Sequence, residues 1–391
     1  MNILFCGTNV PDEIEYNSRM ISAAGNRYQN NVISCLKDMG NTVENLTFVY
    51  MSAEDSLPTN TVRTSEKDSD ICTDSYNMVQ LKDRSMSSRM KAVKKFHRQV
   101  RKSVKEADII MSYNVHYAWL DLPGEARRQG KKSAVFLADY SGPECFTSPV
   151  RKIYAQKMLD VMRRYDIVIG LSKNIEKYLK IGQKFILLEG GIDEKMFESF
   201  DKDAVEKKNE AVEFMYSGLL SHVTGVDMLL EAMKIIPDRN IRLMITGKGD
   251  LEDKVKNAAQ ADSRIVYAGH LEYDDYLKML QQADVLVNPR NMDLPENQNN
   301  FPSKIMDYLA SGNRIVSTRF AGYEKFSDCI EYTDSSPESL ADAMNKISEE
   351  IVKTSVEQRQ QAENERFRYN RRFAEQFLWK NELQEVLNEC K

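Results

Sequence analysis

The sequence predicts an α/β fold made of two Rossmann-like domains, and three observations support this. Short apolar runs of strand length alternate with helical stretches along most of the 391 residues, a pattern typical of parallel sheets covered by helices. The alternation restarts near residue 213, after the charged and poorly apolar stretch DKDAVEKKNE at 201–210. The chain is also too long for one ordinary core and suits two domains of roughly 150–200 residues each.

The first half opens with a predicted strand and turn. The apolar run 2–6 is followed by Gly7, and Gly25 precedes a helical pattern that ends at Gly40. Residues 52–82 are polar and rich in Ser, Thr and Asp, which predicts a loop or an insertion. Further strands are predicted at 48–51, 108–112, 133–137, 167–170 and 185–188.

The second half repeats the pattern. Strands are predicted at 213–216, 242–246, 264–267, 285–288 and 314–317. From about residue 336 the chain is helical, and Phe373, Phe377, Leu378 and Leu383 form an apolar packing face. We expect an N-terminal domain of 1–197, completed by a final helix at about 370–391, and a C-terminal domain of 198–369.

Composition excludes several classes of protein. The net charge is −5, so no bulk field favours nucleic acid. The first apolar run is too short for a signal peptide and lacks its basic start. No run approaches the ~18 apolar residues of a membrane helix. The six cysteines are scattered without a CxxC pair, which predicts reduced thiols, a cytoplasmic protein and no metal site.

The stretch NNFPSKIMDYLASG, residues 299–312, predicts an anion site. Pro302 suits the first position of a helix, and Gly312 suits its left-handed cap. The helix tip and Lys304 would attract an anion. Asp307, three residues on, can accept hydrogen bonds from two neighbouring hydroxyls. Phosphate at the tip and a diol one turn deeper describe a nucleoside diphosphate, whereas the alternative is an ordinary Lys–Asp surface pair.

Three turns that follow strands of the second half support the first interpretation. Gly218, Gly247 and Gly269 each stand directly or nearly directly after a predicted strand, where open α/β sheets bind ligands. Neither GxGxxG after the first strand nor GxxxxGK[ST] is present, which argues against a dinucleotide oxidoreductase and against a P-loop enzyme.

Taken in order, six segments resemble the retaining GT-B glycosyltransferases of family four. They are DIVIGLSKNIEKYL, EGGIDEKMF, YSGLLSHVTGVDMLLEAM, RLMITGKGDLE, RIVYAGHLEYDDYLKMLQQADVLVNP and FPSKIMDYLASGNRIVST. The resemblance covers most of the chain and is strongest from about 167 to 318. It implies two Rossmann-like domains that face a cleft, with a C-terminal helix that crosses back to the first domain.

The resemblance also implies a donor site on the second domain that needs neither metal nor cofactor. The base would lie at His270 and Leu271. Asp307 would hold the ribose, and Asn299, at the family's first acidic position, would contact the sugar. The other expected donor-binding residues are Gly218, Thr224, Gly247, Lys248, Arg290, Asn300, Phe301, Pro302 and Ser303.

Two departures from the family pattern bear on catalysis. The family places an arginine and a lysine where this chain has Leu219 and Thr224, so the diphosphate needs other cations. Lys304 is the expected substitute, helped by Lys248, His222 or Arg290. Related enzymes also carry a histidine after the strand at 109–112, where His116 is the nearest histidine; it is a candidate catalytic group or an ordinary loop residue. Asn299 and Lys304 complete the expected catalytic set.

The acceptor would lie on the first domain, near Gly25, Tyr113, Asn114 and Asp139. A capping role for Asp139 is equally compatible with its sequence. The basic segment 84–105 carries nine Lys or Arg and an apolar stripe that includes Met90. It predicts either contact with an anionic membrane surface or a solvated helix packed by its stripe.

The sequence therefore predicts a retaining, metal-independent hexosyltransferase. It would move a sugar from a nucleoside-diphosphate sugar, UDP rather than GDP, to a saccharide or polyprenyl-linked acceptor. The expected setting is bacterial surface polysaccharide or glycolipid synthesis, in the cytoplasm or on the inner face of the membrane. Two alternatives stay open: an inactive GT-B partner or chaperone subunit of another transferase, and a sugar-nucleotide epimerase.

Overall fold

A computed structural model describes residues 1–11, 23–50, 85–138, 140–200, 211–237 and 240–390, together with the backbone of 62–63, 71–73 and 76–81. The chain divides into two compact units. One unit comprises Met1–Glu189 together with Trp379–Lys391, and the other comprises Gly190–Leu378. The division falls eight residues before the expected boundary at 197/198.

The first unit is built on a nine-stranded sheet. Its order is β3-β4-β5-β2-β1-β6-β7-β8-β9, and all neighbours from β5 to β9 pair in parallel, while β3 and β4 are antiparallel additions at one edge. The strands are β1 Asn2–Gly7, β2 Thr42–Tyr50, β3 Val62–Arg63, β4 Ile71–Thr73, β5 Tyr76–Leu81, β6 Ile109–Tyr113, β7 Lys132–Leu137, β8 Ile167–Gly170 and β9 Lys184–Leu187.

Four helices of the first unit connect these strands, and the last helix of the described chain joins them. They are α1 Ala23–Asp38, α2 Met86–Ser103, α3 Leu122–Arg128, α4 Pro149–Met162 and α12 Trp379–Cys390. The ring of Trp379 stands edge-on to Tyr28 of α1, with 5.0 Å between ring centroids. The expected return of the C-terminal helix to the first unit is thereby confirmed.

The second unit contains a six-stranded, fully parallel sheet of order β12-β11-β10-β13-β14-β15. The strands are β10 Val212–Ser217, β11 Ile241–Thr246, β12 Ile265–Tyr267, β13 Val285–Asn288, β14 Arg314–Thr318 and β15 Ile330–Thr333. The helices are α5 Glu194–Ser199, α6 Val226–Ile235, α7 Glu252–Ala261, α8 Tyr273–Gln282, α9 Lys304–Ser311, α10 Pro337–Lys353 and α11 Val356–Ala374. Its main core forms where buried residues of α6 and α10 pack on β10 and β11.

Both sheets have the doubly wound strand order. In each, the chain adds strands on one side of the first strand and then on its other side, and the place where this order changes is called the switch point. In the second unit this switch point lies between β10 and β13. Ligands of open α/β sheets bind at the carboxyl ends of strands at such a point, so β10, β13 and the helices that follow them define where a site belongs. The two Rossmann-like units confirm the predicted fold class.

Four sequence expectations need correction. Gly25 lies inside α1 and does not precede it. The segment 52–82, expected as a loop or an insertion, is not a plain loop but contributes three strands, because the chain returns there to add β5 beside β2. A sixth strand, β15, was not foreseen in the second unit. The C-terminal helix is two helices, since Leu378 adopts an extended conformation and ends the turn at Glu375–Phe377.

That break divides the expected packing face between the two units. Phe373 and Phe377 pack around Phe326 in the second unit, whereas Leu383 is buried on α12. Among the described residues, no helix is both long and apolar enough to cross a membrane.

Candidate functional site

The switch point of the second unit brings together the three segments that carry the predicted donor site. β10 ends at Ser217 and is followed by Gly218, while β13 ends at Asn288 and is followed by Pro289 and Arg290. The third segment is the start of α9 at Lys304.

Lys304 is the central cation of this region. Its Nζ atom is buried and has no hydrogen-bond partner among the described residues. It lies 3.9 Å from the centroid of the Tyr216 ring, a cation–π contact. A Cβ atom added at Gly218 would stand 3.1 Å from the same Nζ. The amine therefore sits under the first turn of the unit, with its hydrogen-bonding capacity unused.

Burial and a second cation make the charge on Lys304 costly. Burial, together with the smaller effect of the nearby Arg290 charge, lowers the pKa of Lys304 to about 7. Arg290 also acts electrostatically on Tyr216, whose pKa is raised chiefly by burial. Lys304, Arg290 and the face of Tyr216 thus form a cluster that would gain from an anion.

α9 is fixed against the end of β10 by a second aromatic side chain. Tyr308, one turn after Lys304 on the same helix face, has its hydroxyl 3.1 Å from Ser217 Oγ and accepts a hydrogen bond from the Ser217 N–H at 3.2 Å. Gly312 ends the helix in the left-handed conformation, as predicted. This attachment holds Lys304 in place over Tyr216.

The helix begins at Lys304 and not at Pro302, which corrects the predicted start. The N–H groups of Ile305 and Met306 donate to the carbonyls of Pro302 and Ser303, a tight first turn of the 3₁₀ type. Within the described residues, this leaves the N–H groups of Ser303 and Lys304 at the helix tip. Ser303 is exposed there.

Asp307 is buried, with 6% of its surface exposed. Its Oδ2 accepts a hydrogen bond of 2.9 Å from the hydroxyl of Tyr276 on α8. Since Lys304 faces Tyr216 and Asp307 faces Tyr276, the two residues do not form the surface ion pair that was the alternative interpretation.

The segment before α9 is made of buried asparagines. Asn299 and Asn300 are buried, and Asn300 donates to the Glu296 carbonyl at 2.8 Å. Asn297, which no motif singles out, donates to the carbonyls of Val223 and Asn291. The segment is therefore tied to the loop that follows β10.

Phe301 and Pro302 are buried beside this segment but serve packing. The Phe301 ring packs edge-on against Phe320 at 5.1 Å and also contacts Phe326. These contacts place Phe301 in an aromatic core, so its side chain is not available to a ligand; its backbone alone stays with the predicted site.

Two glycines allow the turns after β10 and β11 to meet. Gly247 has φ +136°, and a Cβ atom there would lie 1.8 Å from the Gly218 carbonyl oxygen. Gly247 also donates to the Gly269 carbonyl at 2.8 Å. Because only glycine fits that approach, Gly247 acts on the site through the shape of the Gly218 turn.

The loop after β10 has no cation that replaces the family pair. Leu219 is 59% exposed, and its carbonyl accepts hydrogen bonds from Tyr216 and Thr224, both at 2.6 Å. His222 pairs with Asp227, with 2.7 Å between Nδ1 and Oδ2. Thr224 and His222 are thus engaged within the loop, so Lys304 and Arg290 are the cations the structure brings to the switch point.

The remaining donor-site candidates lie at the surface of neighbouring turns. Lys248 and His270 are exposed, and Leu271 is half-buried. The Gly269 carbonyl accepts hydrogen bonds from the Gly247 N–H and from Thr246 Oγ1. The turn that precedes His270 is therefore held firmly against β11.

His116, in the first unit, has a structural role. Its Nδ1 accepts the Ala118 N–H at 3.2 Å, and its ring packs on Tyr117 and Trp119 at 4.1 and 4.6 Å. Burial lowers the pKa of His116 to about 4, so the ring is neutral at physiological pH. A role in proton transfer stays a prediction.

The acceptor-site candidates of the first unit are chiefly structural where they are described. Tyr113 is buried against Tyr28, with 5.8 Å between ring centroids. Asn114 adopts φ +54°, and its Oδ1 accepts the Ala138 N–H at 2.9 Å. The Gly25 carbonyl accepts from Gln29 inside α1. Asp139 lies outside the described residues.

Three tyrosines at the candidate donor site were missed by the sequence analysis. They are Tyr216 under Lys304, Tyr276 on Asp307 and Tyr308 on Ser217. Tyr308 had a signal, since it stands four residues after Lys304. Tyr216 and Tyr276 come from other elements, and nothing in their own segments points to α9.

Comparison with known proteins bears on the family and on the fold. Residues 211–350, almost the whole α/β part of the second unit, match the family described as glycosyl transferases group 1. The resemblance to group 1 glycosyltransferases is confirmed. The match includes both turns of the switch point and all of α9.

Solved structures extend the likeness to the fold of the whole chain. HepE of Anabaena, solved in complex with UDP, is 13% identical with a TM-score of 0.67, and the match covers 100% of both chains. Sucrose-phosphate synthase of Thermosynechococcus elongatus is 13% identical with a TM-score of 0.70, covering 99% of this chain and 98% of that one. The lipopolysaccharide outer core galactosyltransferase WaaB is 14% identical with a TM-score of 0.65, covering 100% of this chain and 99% of that one. At such identities the likeness establishes the GT-B fold alone, and no curated protein matches the sequence.

The second unit presents two cations, a helix tip and a buried carboxylate at one switch point. Within the described parts of the chain, no group of three or more His, Cys, Asp or Glu side chains is arranged to hold a metal ion.

Proposed function

We propose that the protein is a retaining glycosyltransferase whose donor, a nucleoside-diphosphate sugar, binds at the switch point of the second unit. The observation that carries this proposal is the buried Lys304 Nζ, which has no hydrogen-bond partner and lies beside Gly218. A buried ammonium without a partner is unfavourable, and a diphosphate would supply the missing negative charge and acceptors.

The diphosphate would be held by three groups. Lys304 supplies a full charge, Arg290 a second, and the N–H groups of Ser303 and Lys304 the dipole end of α9. These groups take the place of the cations that the family pattern has at Leu219 and Thr224. Charge stabilisation of the leaving nucleoside diphosphate is the principal requirement of the reaction, and a metal ion is not required in this scheme.

The other parts of the donor follow from the order of residues around α9. Asp307, whose Oδ2 accepts a hydrogen bond from the Tyr276 hydroxyl, would hold the ribose hydroxyls. Asn299 would contact the transferred sugar, and the base would lie along His270 and Leu271. The leaving phosphate would help to deprotonate the acceptor on the same face of the sugar, which retains the anomeric configuration.

The donor base and the acceptor are further parts of the proposal. UDP is favoured over GDP, and support comes from HepE, which was solved with UDP and with UDP and glucose. The acceptor would be a saccharide or a polyprenyl-linked saccharide in bacterial surface polysaccharide or glycolipid synthesis. The likeness to an outer core galactosyltransferase supports that setting, on the cytoplasmic side of the membrane.

Calorimetric titration with UDP and with GDP tests the donor site. We expect micromolar binding of one nucleotide and a loss of at least tenfold in Lys304→Met. Lys325 is the matched control, because its Nζ also lies over an aromatic ring, Phe377, at 4.5 Å; Lys325→Met should bind like the wild type. Equal affinity of wild type and Lys304→Met would contradict the assignment.

The role of Asp307 can be separated from that of Lys304 with a modified ligand. Wild-type protein should bind 2′,3′-dideoxy-UDP at least tenfold more weakly than UDP, since each hydrogen bond to a charged group contributes about 1.5–3 kcal/mol. Asp307→Ala should bind both ligands equally weakly, and Tyr276→Phe should lie between. An Asp307→Ala variant that still discriminates the two ligands would place the ribose elsewhere.

One observation supports a second candidate function. Leu219 is exposed and Thr224 is used within its own loop, so the usual pair of cations is missing from a chain that folds as a GT-B enzyme. Such a chain could act as an inactive partner or chaperone subunit of another transferase. Failure of the well-folded wild type to bind either nucleotide would favour this candidate, whereas release of UDP from UDP-sugars with an acceptor would exclude it. Turnover of the sugar nucleotide without acceptor would instead indicate an epimerase.

A further inference from the structure

Two helices of the first unit present apolar side chains to solvent near their N-terminal ends. On α2 these are Met86 and Met90, and on α4 they are Val150, Ile153 and Tyr154; all five are exposed, Ile153 by 72%. The spacings of three and four residues place each set on one helix face. We call these five side chains the apolar patch.

The exposure of Met90 corrects the apolar stripe expected for the basic segment 84–105, which included this residue. The buried stripe of α2 consists of Ala92, Phe96, Val100 and Ser103. Met90 belongs to the exposed side, together with Met86. The helix therefore packs through one stripe and still has apolar side chains that the unit itself does not cover.

The segment 115–120 joins the two helices into one surface. Tyr117 packs against the core cluster that contains the buried stripe of α2, while Leu120 packs against the cluster that contains Leu159 of α4. Burial raises the pKa of Tyr117, Arg89 of α2 lowers it, and Tyr154 of α4 raises it further. Tyr117 is thus close to both helices, and the patch extends across it.

The patch lies at the edge of the sheet where an acceptor belongs. α2 follows β5 and α4 follows β7, so the N-terminal ends of both helices lie at the carboxyl ends of parallel strands. Ligands of open α/β sheets bind along that edge. A surface recognised by the patch would therefore lie next to the acceptor side of this unit.

Basic side chains surround the patch. Residues 85–105 contain eight Lys or Arg and no Asp or Glu, and residues 149–164 contain five with Asp160 as the single acid. The protein as a whole has net charge −5, so this concentration is local. Exposed cations without an ion-pair partner among the described residues are Arg89, Lys91, Lys94, Arg98, Arg151, Lys152 and Lys157.

We propose that the first unit docks on an anionic lipid bilayer through the apolar patch and its basic surround. Apolar side chains that enter the interface, with Lys and Arg at the level of the head groups, describe how amphipathic helices bind membranes. A nucleic acid would use the cations and leave the apolar side chains exposed. The docking is independent of the donor site; what rests on the proposed function is its purpose, the delivery of a lipid-linked acceptor to the sheet edge.

Flotation with lipid vesicles tests the proposal without any enzymatic assay. Wild-type protein should float with vesicles of phosphatidylcholine and 40% phosphatidylglycerol, and the bound fraction should fall sharply in 0.5 M NaCl because surface charges are then screened. Pure phosphatidylcholine should bind it far more weakly. Equal binding to the two compositions, or none to the anionic one, would overturn the proposal.

The chain provides a matched pair of variants. Lys152 and Ile153 lie in the patch region. The same dipeptide recurs at Lys180 and Ile181, and both of these residues are exposed. They precede β9 and therefore lie near the amino ends of the strands, away from the patch. Lys152→Glu/Ile153→Ser should weaken binding to anionic vesicles by at least tenfold, since one cation near such a surface accounts for roughly fivefold. Lys180→Glu/Ile181→Ser should bind as the wild type does. An equal loss of vesicle binding in both variants would show that only the overall charge of the protein matters, and would refute a defined docking face.

A spectroscopic variant checks which side chains enter the lipid. The tryptophan in Ile153→Trp should shift its emission to the blue on addition of anionic vesicles, whereas Ile181→Trp should not. The two native tryptophans, Trp119 and Trp379, are buried and give a constant background. Unchanged emission of Ile153→Trp on vesicles that bind the protein would place the docking face elsewhere. Binding of the wild type to RNA or to an acidic protein, with no binding to anionic vesicles, would likewise refute the bilayer.

Discussion

Lys304 Nζ lies 3.9 Å from the centre of the Tyr216 ring and donates no hydrogen bond to the described part of the chain. The ring partly compensates the ammonium through its electron-rich face. It does not replace the water that burial removes, so the charge on Lys304 is costly in the unbound protein.

The cost of that charge predicts an unusual dependence of stability on pH. The pKa of Lys304 is about 7 in the folded protein, against 10.5 for an ordinary lysine, so folding is penalised most below pH 7 and less as pH rises toward 10.5. Lys304→Met should therefore stabilise the protein more at pH 6 than at pH 9, by a difference on the order of 2 kcal/mol. Urea unfolding at the two pH values measures it, and Lys325→Met serves as control. A constant effect across that range would contradict the lowered pKa.

Binding of a diphosphate should reverse this shift and take up a proton. At pH 8 Lys304 is mostly neutral, and a bound anion would raise its pKa and charge it. Titration with the favoured nucleotide in two buffers of different ionisation enthalpy should show uptake of close to one proton per site. Histidines of ordinary pKa are already neutral at pH 8, and Lys304→Met should abolish the uptake. Uptake that persists in this variant would assign the proton to another group.

Gly247→Ala should damage the site from a distance. Its Cβ would lie 1.8 Å from the Gly218 carbonyl oxygen, so the two turns must separate, and we expect a loss of about 2 kcal/mol or more in stability together with weaker nucleotide binding. Gly269→Ala is the control, because its φ is also positive but its Cβ would meet open space; strain alone should cost about 1 kcal/mol. Thermal unfolding compares the two, and similar losses would show that the close approach is unimportant.

His116→Asn should retain most of any activity. Asparagine can accept the Ala118 N–H as His116 Nδ1 does, and loss of ring packing should lower stability by about 1 kcal/mol. The pKa of His116 is about 4, so the pH dependence of turnover between pH 5 and 8 should be the same in both proteins. A large drop in turnover, with an altered pH profile and unchanged unfolding, would instead support His116 as a catalytic group.

The sequence predicted the fold because its signals are local. Strands such as β8 and β13 are short apolar runs closed by Gly or Asn, and their bounds match the expected 167–170 and 285–288. β5 escaped prediction because its sequence, YNMVQL, is mixed in polarity. The break after α11 was missed because the apolar pattern continues through Leu378 while the backbone leaves the helix.

The candidate site was predicted only where one element carries it. Lys304 and Asp307 are three residues apart on one helix, so their relation can be read from the sequence. The burial of Lys304 depends on Tyr216, and the orientation of Asp307 depends on Tyr276, which lie 88 and 31 residues away along the chain. Phe301 shows a further limit, since its sequence does not reveal that its ring packs into an aromatic core and leaves only its backbone at the predicted site.

The return of α12 to the first unit has a consequence for biosynthesis. Trp379 and Leu383 are buried, and Trp379 covers Tyr28 of α1. On a ribosome, α1 must wait for this cover while Gly190–Leu378 is made, roughly 10–40 s at ordinary rates of elongation. The second unit, which is continuous in sequence, can complete its folding first. The N-terminal unit is thus the later of the two to mature. A premature stop before Trp379 would leave a finished second unit attached to an unfinished first one, which chaperones and proteases would recognise.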